Sequence, residues 1–156
     1  VIKAYNDSDI RILVNESEVL QLDGGKIQVA GADDFELGDQ NIEKMTSNLV
    51  DEMTSLFLVH NPVNFRSFTP YNPALVLSGH THGGQFYWSF LHNVYKSLCG
   101  EFLSGLYYYE NSALYVNRGI GTAMFSPVIL NKKVYIKTPR INSKPEITFF
   151  TLFSKE

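Results

Sequence analysis

Three of the chain's four histidines stand where two similar apolar runs end. "LFLV" ends in His60, and "ALVLSG" ends in His80, Thr81 and His82. Neutral imidazole is a borderline donor that suits Zn, Mn, Fe and similar divalent ions. A single histidine at a strand end is more often a hydrogen-bonded structural residue than a ligand. Three of them at the ends of two like runs shift the balance to ligation. In extended backbone, residues two apart point to the same side, which would put the Cα atoms of His80 and His82 roughly 6.5 Å apart. That spacing allows one shared ion, or two ions about 3.5–4 Å apart with one histidine on each. Gly79 is expected to let the backbone bend as the strand ends. Gly83 and Gly84 are expected to leave space for a ligand, or to adopt dihedrals closed to other residues.

Other candidates are weaker. "GADD" (residues 31–34) also ends a strand pattern, so Asp33 or Asp34 can add a carboxylate, although aspartates after strands commonly serve turns. Arg118, in "VNRGIG", suits a substrate phosphate through its planar guanidinium; a structural ion pair is the competing role. His92 has no chemical partners nearby in sequence and reads as structural. Phe86, Tyr87, Trp88 and Phe90 can line an apolar pocket or simply fill the core.

Positioning these groups takes a sheet. Ile10, Ile12 and Val14 alternate with polar neighbours, Val19 to Leu22 precede Asp23-Gly24-Gly25, and Ile27 and Val29 resume the alternation. This pattern predicts three short strands with a tight turn at Asp23-Gly24. "LGDQNIEKMTSNLVDEM" predicts a helix with Asp39 as N-cap and Ile42, Met45, Leu49 and Met53 on one face. Leu56 to Val59, and Ala74 to Leu77, are continuous apolar runs suited to strands covered on both faces. A loop or short helix around Asn64 to Phe68 joins them. Further strands are expected at Leu106 to Tyr109, "ALYVNRG", "KVYIKT" and the terminal "EITFFTLF". The fold class is therefore α/β, bordering on α+β. If the two apolar strands are parallel neighbours, His60 and His80 share the carboxyl edge of the sheet, where ligands gather in open α/β folds.

The 156 residues fit one domain or a large part of one. Hydrophobic residues make up 44%, and the net charge is −3, which suits a globular chain and argues against a nucleic-acid partner. Cys99 is the one cysteine, so no intramolecular disulfide forms and a reducing compartment is compatible. The expected location is the cytoplasm or the cytoplasmic face of the membrane. The chain opens on Val1 and its first methionine is Met45, as expected of a chain whose start has been removed.

"LVHNP", "LVLSGHTHGGQ", "GLYYYENSALYVNRGIGT" and "KPEITFFTL" together resemble the C-terminal half of the calcineurin-like metallophosphoesterases, in the YkuE-type bacterial branch. The resemblance covers nearly the whole chain, and Gly-His-Thr-His-Gly-Gly-Gln is specific. It implies a four-layer α/β/β/α sandwich, with residues 1–156 as a single partial domain. It implies that His60 and His80 bind the second of two divalent ions (Mn, Zn or Fe) and His82 the first. It implies a phosphodiester, phosphomonoester or pyrophosphate substrate; relatives in the branch include pyrophosphatases acting on lipid precursors, so a lipid-linked substrate is one expectation. Asp-x-His, Gly-Asp-x-x-Asp and Gly-Asn-His-Asp, which supply the remaining ligands in the family, do not occur here; "GDQNI" lacks the second aspartate. Residues 127–139 look like an insertion before the terminal strand. The expectation is a half-domain, inactive alone, whose missing N-terminal half is its partner. A fold-retaining scaffold and a mononuclear three-histidine zinc hydrolase aided by Asp34 are the alternatives.

Overall fold

The computed structural model describes residues 8–85, 100–122 and 136–153, with Tyr5, Phe90 and short stretches among 93–96 and 124–134. Its centre is a six-stranded mixed sheet. The strands are β1 (Glu16–Leu22), β2 (Gly25–Gly31), β3 (Ser55–Leu58), β4 (Leu75–Ser78), β5 (Gly105–Tyr109) and β6 (Ser112–Val116), in the order β1-β2-β3-β4-β6-β5. β2, β3, β4 and β6 run parallel, and an antiparallel hairpin closes each edge. The register Leu22↔Gly25 leaves Asp23-Gly24 as a two-residue turn, as the sequence indicates. The α/β reading holds. Two short ribbons complete the chain: β7 (Met124–Phe125) pairs with β10 (Ile136–Lys137), and β8 (Val128–Ile129) with β9 (Lys132–Lys133).

Strand alternation divides the sheet into two unlike faces. Ala30, Phe57, Val76, Leu114 and Val116 point to one side and are buried there with Met45, Phe65, Phe68 and Phe102. The rings pack edge to face, Phe57 on Phe68 with centroids 6.0 Å apart and Phe65 on Phe102 at 5.5 Å. Phe65 comes from a 3-10 turn, Pro62–Ser67, and Phe68 follows it in the β3–β4 connection. The other face carries Leu56, Leu58, Leu75, Leu77 and Tyr115, none of them buried. Both apolar runs are therefore suited to two covers, and among the described residues the second face is only partly covered.

Four expectations change. Residues 10–13 form no strand. They run across β2 instead, so close that a Cβ on Gly31 would lie 2.5 Å from that of Leu13. The helix is one short element, α1 (Ile42–Thr46). Its cap is Asn41, whose side chain accepts from Lys44 N at 2.8 Å, because Asp39 is already drawn away: its N–H donates to Asp33 and its carbonyl accepts from Asn15. Ser47 then turns both its N–H and its hydroxyl onto the Lys44 carbonyl and ends the helix. The terminal "EITFFTLF" is not a strand among the described residues. It crosses the second face and partly covers it through side chains, Thr148 and Glu146 on Tyr115 and Phe150 edge-on to the Tyr115 ring at 5.2 Å. His92, Cys99 and Phe86 to Trp88 lie outside the described residues. Phe90 is exposed and lines no core.

Candidate metal and phosphate site

The parallel strands all end at one edge, and the polar loops collect there. Leu58 pairs with Leu77 across β3 and β4. Two further bonds, Val59 N to Leu77 O and Gly79 N to His60 O (both 3.0 Å), continue the ladder past the strand ends. Register alone therefore carries His60 against His80. Their rings meet edge to face with centroids 5.0 Å apart, and His80 Nδ1 lies 3.2 Å from His60 Nε2. Partial desolvation first, and then the neighbouring His80, hold the His60 imidazole below its ordinary range. The His60 imidazole thereby favours the neutral, ligand-competent form.

β2 ends at the same edge. Asp34 there accepts from the N–H groups of Glu36 (2.9 Å) and Leu37 (2.8 Å). Those bonds, Leu37's first, lower its pKa, and His60 and His80 add to the effect by charge. Asp33 serves the turn itself: its carboxylate accepts from Asp34 N and Asp39 N, and Gly38 packs where a Cβ would fall 2.5 Å from Asp33 Cγ. Glu36, which the motif reading missed, places Oε1 3.5 Å from His80 Nε2 and accepts from the buried Asn61. Its only signal in sequence was its position two residues after Asp34, in the loop that follows β2.

The extended backbone expected from His80 to His82 is absent. β4 stops at Ser78, and the left-handed residues are His80 (φ 65°), His82 (φ 51°) and Gln85 (φ 49°). Gly79 is not the bend; His80 is. Thr81 is buried, donates to the Leu103 carbonyl at 2.5 Å, and starts a 3-10 turn over His82–Gly84. Gly83 (φ 61°) does need to be glycine, since a Cβ there would meet Ser143 Oγ at 2.6 Å and the Arg118 side chain at 3.0 Å. Its bareness admits protein atoms at that point. His82 is half-buried, with Nδ1 2.9 Å from Gln85 Oε1. Arg118 donates to Glu146 at 2.9 Å. Burial opposes ionisation of Glu146, but hydrogen bonds from Tyr115 and Thr148 and the Arg118 charge prevail and hold its carboxyl below the usual range.

In kind, the donors fit a divalent ion: imidazoles with carboxylates nearby. In number they fall short. Among the described residues no three His, Cys, Asp or Glu side chains converge on a point that an ion could occupy, whereas a catalytic zinc takes three protein ligands. A three-histidine mononuclear centre has no such grouping here. A cleft of about 400 Å³ opens beside His60 on the partly covered face, lined by Leu58, Leu77, Tyr115, Thr148 and Phe150 among others.

Comparison with known proteins matches this edge-of-sheet chemistry. The chain is 38% identical over 133 residues to the metallophosphoesterase YkuE of Bacillus subtilis, covering 85% of this chain and 42% of the relative. It is 26% identical over 140 residues to the metallophosphoesterase YkoQ of the same organism (88% and 47%). It is 28% identical over 130 residues to the UDP-2,3-diacylglucosamine pyrophosphatase LpxG of Chlamydia trachomatis (78% and 39%). No family model matches the chain, and no solved structure matches it at a significant level. The chain thus spans less than half the length of these curated relatives. Histidines juxtaposed where parallel strands end, on a chain that aligns with several named metallophosphoesterases over most of its length, have one common source: this chain belongs to the calcineurin-like metallophosphoesterase family.

Proposed function

We propose that this chain is the C-terminal portion of a metal-dependent phosphohydrolase and supplies one wall of its active site. The observation that carries this is the contact of His60 with His80 at the ends of adjacent parallel strands, 3.2 Å apart at the ring nitrogens. His60, His80 and His82 would hold divalent ions, two in the complete protein. When bound, such ions lower the pKa of water and neutralise charge on phosphoryl oxygens. Asp34 stays ionised beside them and adds negative charge that favours cations. Gly84, with Gly83, shapes the loop beneath the phosphate. Arg118, tied to Glu146, acts on substrate only through the charge it keeps at that edge.

The remaining ligands would come from a longer parent whose second sheet covers Leu56, Leu58, Leu75 and Leu77. Two features support this: the apolar face that is only partly covered, and relatives more than twice as long as the matched region. The substrate class is a phosphodiester, phosphomonoester or pyrophosphate. The likeness to a UDP-2,3-diacylglucosamine pyrophosphatase favours a lipid-linked pyrophosphate.

Calorimetric titration of the chain with Mn²⁺ and Zn²⁺, alongside turnover of a chromogenic phosphodiester, tests the reading. Weak binding of at most one ion and no turnover are expected. Tight binding of two ions per chain with turnover would overturn the half-site reading. Undetectable binding, unchanged by His60→Ala or His80→Ala, would overturn the assignment of these histidines as ligands.

A further inference from the structure

Residues 138–143, which begin at the end of the stretch that reads as an insertion, return to the histidine loop and grip it. Arg140 spends its guanidinium on backbone carbonyls: Nε donates to Gly121 (2.8 Å), Nη2 to Arg118 (2.6 Å), and Nη1 to His82 (3.3 Å) and Ser143 (3.4 Å). Ser143, buried, donates its hydroxyl to the same His82 carbonyl at 2.5 Å. Ile141 N donates to the Gln85 carbonyl at 2.8 Å. Two left-handed non-glycine residues, His82 and Gln85, thus sit beneath contacts that come from more than fifty residues away. Left-handed backbone at such residues persists where surroundings over-determine it.

The side chain of Gln85 completes a relay with a fixed direction. Gln85 is buried. Its Nε2 lies 2.8 Å from the Thr138 carbonyl oxygen and also bonds Thr138 Oγ1. A backbone carbonyl can only accept, so the amide turns its NH₂ toward Thr138 and its oxygen toward His82. Amide oxygen can also only accept. The nitrogen of His82 that faces it at 2.9 Å, Nδ1, must therefore carry the proton. We propose that Gln85, oriented by Thr138, is a positioning residue that holds the proton of the His82 imidazole on Nδ1 and leaves the Nε2 lone pair free. The second nitrogen of a ligating histidine is commonly held by such a partner. The value of this for ligation rests on reading His82 as a metal ligand; the tautomer itself does not.

Long-range ¹⁵N–¹H correlation spectra of the histidine-labelled, metal-free chain read the tautomer directly, because a bare imidazole nitrogen resonates far downfield of a protonated one. The His82 signals are assigned by their loss in His82→Asn. The expected spectrum places the bare nitrogen at Nε2. Gln85→Leu is expected to move His82 toward the Nε2–H form that free imidazole side chains favour, and Gln85→Glu, which still accepts, to restore Nδ1–H. A wild-type His82 with its proton on Nε2 overturns the proposal, and needs no variant to fold. So does a folded Gln85→Leu chain with an unchanged tautomer. If the tautomer is as expected but no metal binds, the relay stands and the ligand reading of His82 falls.

Discussion

At the residue scale, the glycine pair after His82 and the Arg118–Glu146 pair make opposite demands. Gly83 combines a left-handed backbone with contact to Ser143 and Arg118, so Gly83→Ala strains the backbone and pushes on the contacts that hold the loop. We expect a loss of about 1–3 kcal/mol in urea unfolding, against a few tenths for Gly24→Ala, where a Cβ meets nothing within 4 Å. Glu146 governs the acid limb of stability. It ionises more readily in the folded chain than in the unfolded one. Its stabilisation is complete above the unfolded value of about 4.3 and is lost as pH falls through the lower folded value. Glu146→Gln should lower stability near pH 7 by about 1.5–3 kcal/mol, the range for hydrogen bonds to charged groups, and flatten its fall on acidification. Unfolding midpoints across pH decide this; an unchanged acid slope would remove Glu146 as its cause.

At the element scale, two neighbours in β3 measure the division of the sheet. Phe57 is fully buried against Phe68, while Leu58 is 42% exposed on the other face. Phe57→Ala should cost about 3–5 kcal/mol and Leu58→Ala less than about 1 kcal/mol; similar losses at both positions would mean that both faces are covered. The strands that read well in sequence are those whose signal is local: apolar runs at Leu56 to Val59 and Ala74 to Leu77, and the Asp23-Gly24 turn. The errors occur where a distant partner decides. Residues 10–14 and 146–153 alternate like strands, yet a strand exists only if a neighbour completes its ladder, and alternation says nothing of neighbours. Asp39 is a good cap residue by type, but Asp33 and Asn15 claim its backbone first. Of the site, His60 and His80 were legible because strand register brings them together. Glu36, Gln85, Thr138, Arg140 and Ser143 were not. The contacts of the last two span about sixty residues, and no short motif encodes them.

At the scale of the whole molecule, the open question is what lies on the Leu58 face. A sheet with one packed face is stable if the packed face suffices, and here that face carries the aromatic cluster. The second face would then contribute only when covered. Leu58→Asn discriminates. In the isolated chain Leu58 is 42% exposed and beside a cleft, so asparagine meets water and should shift stability by no more than about 0.5 kcal/mol. In a longer parent whose second sheet covers Leu58, the same change leaves a polar amide without partners and forfeits leucine packing, for about 3 kcal/mol or more. Urea unfolding of both chains, wild type and variant, gives the four numbers needed. A large loss in the parent with little in the chain places the second sheet on this face and the histidine edge between two walls. Equal small losses would leave the face open to water in both, and the remaining metal ligands would have to reach His60 and His80 from beyond the loop edge instead.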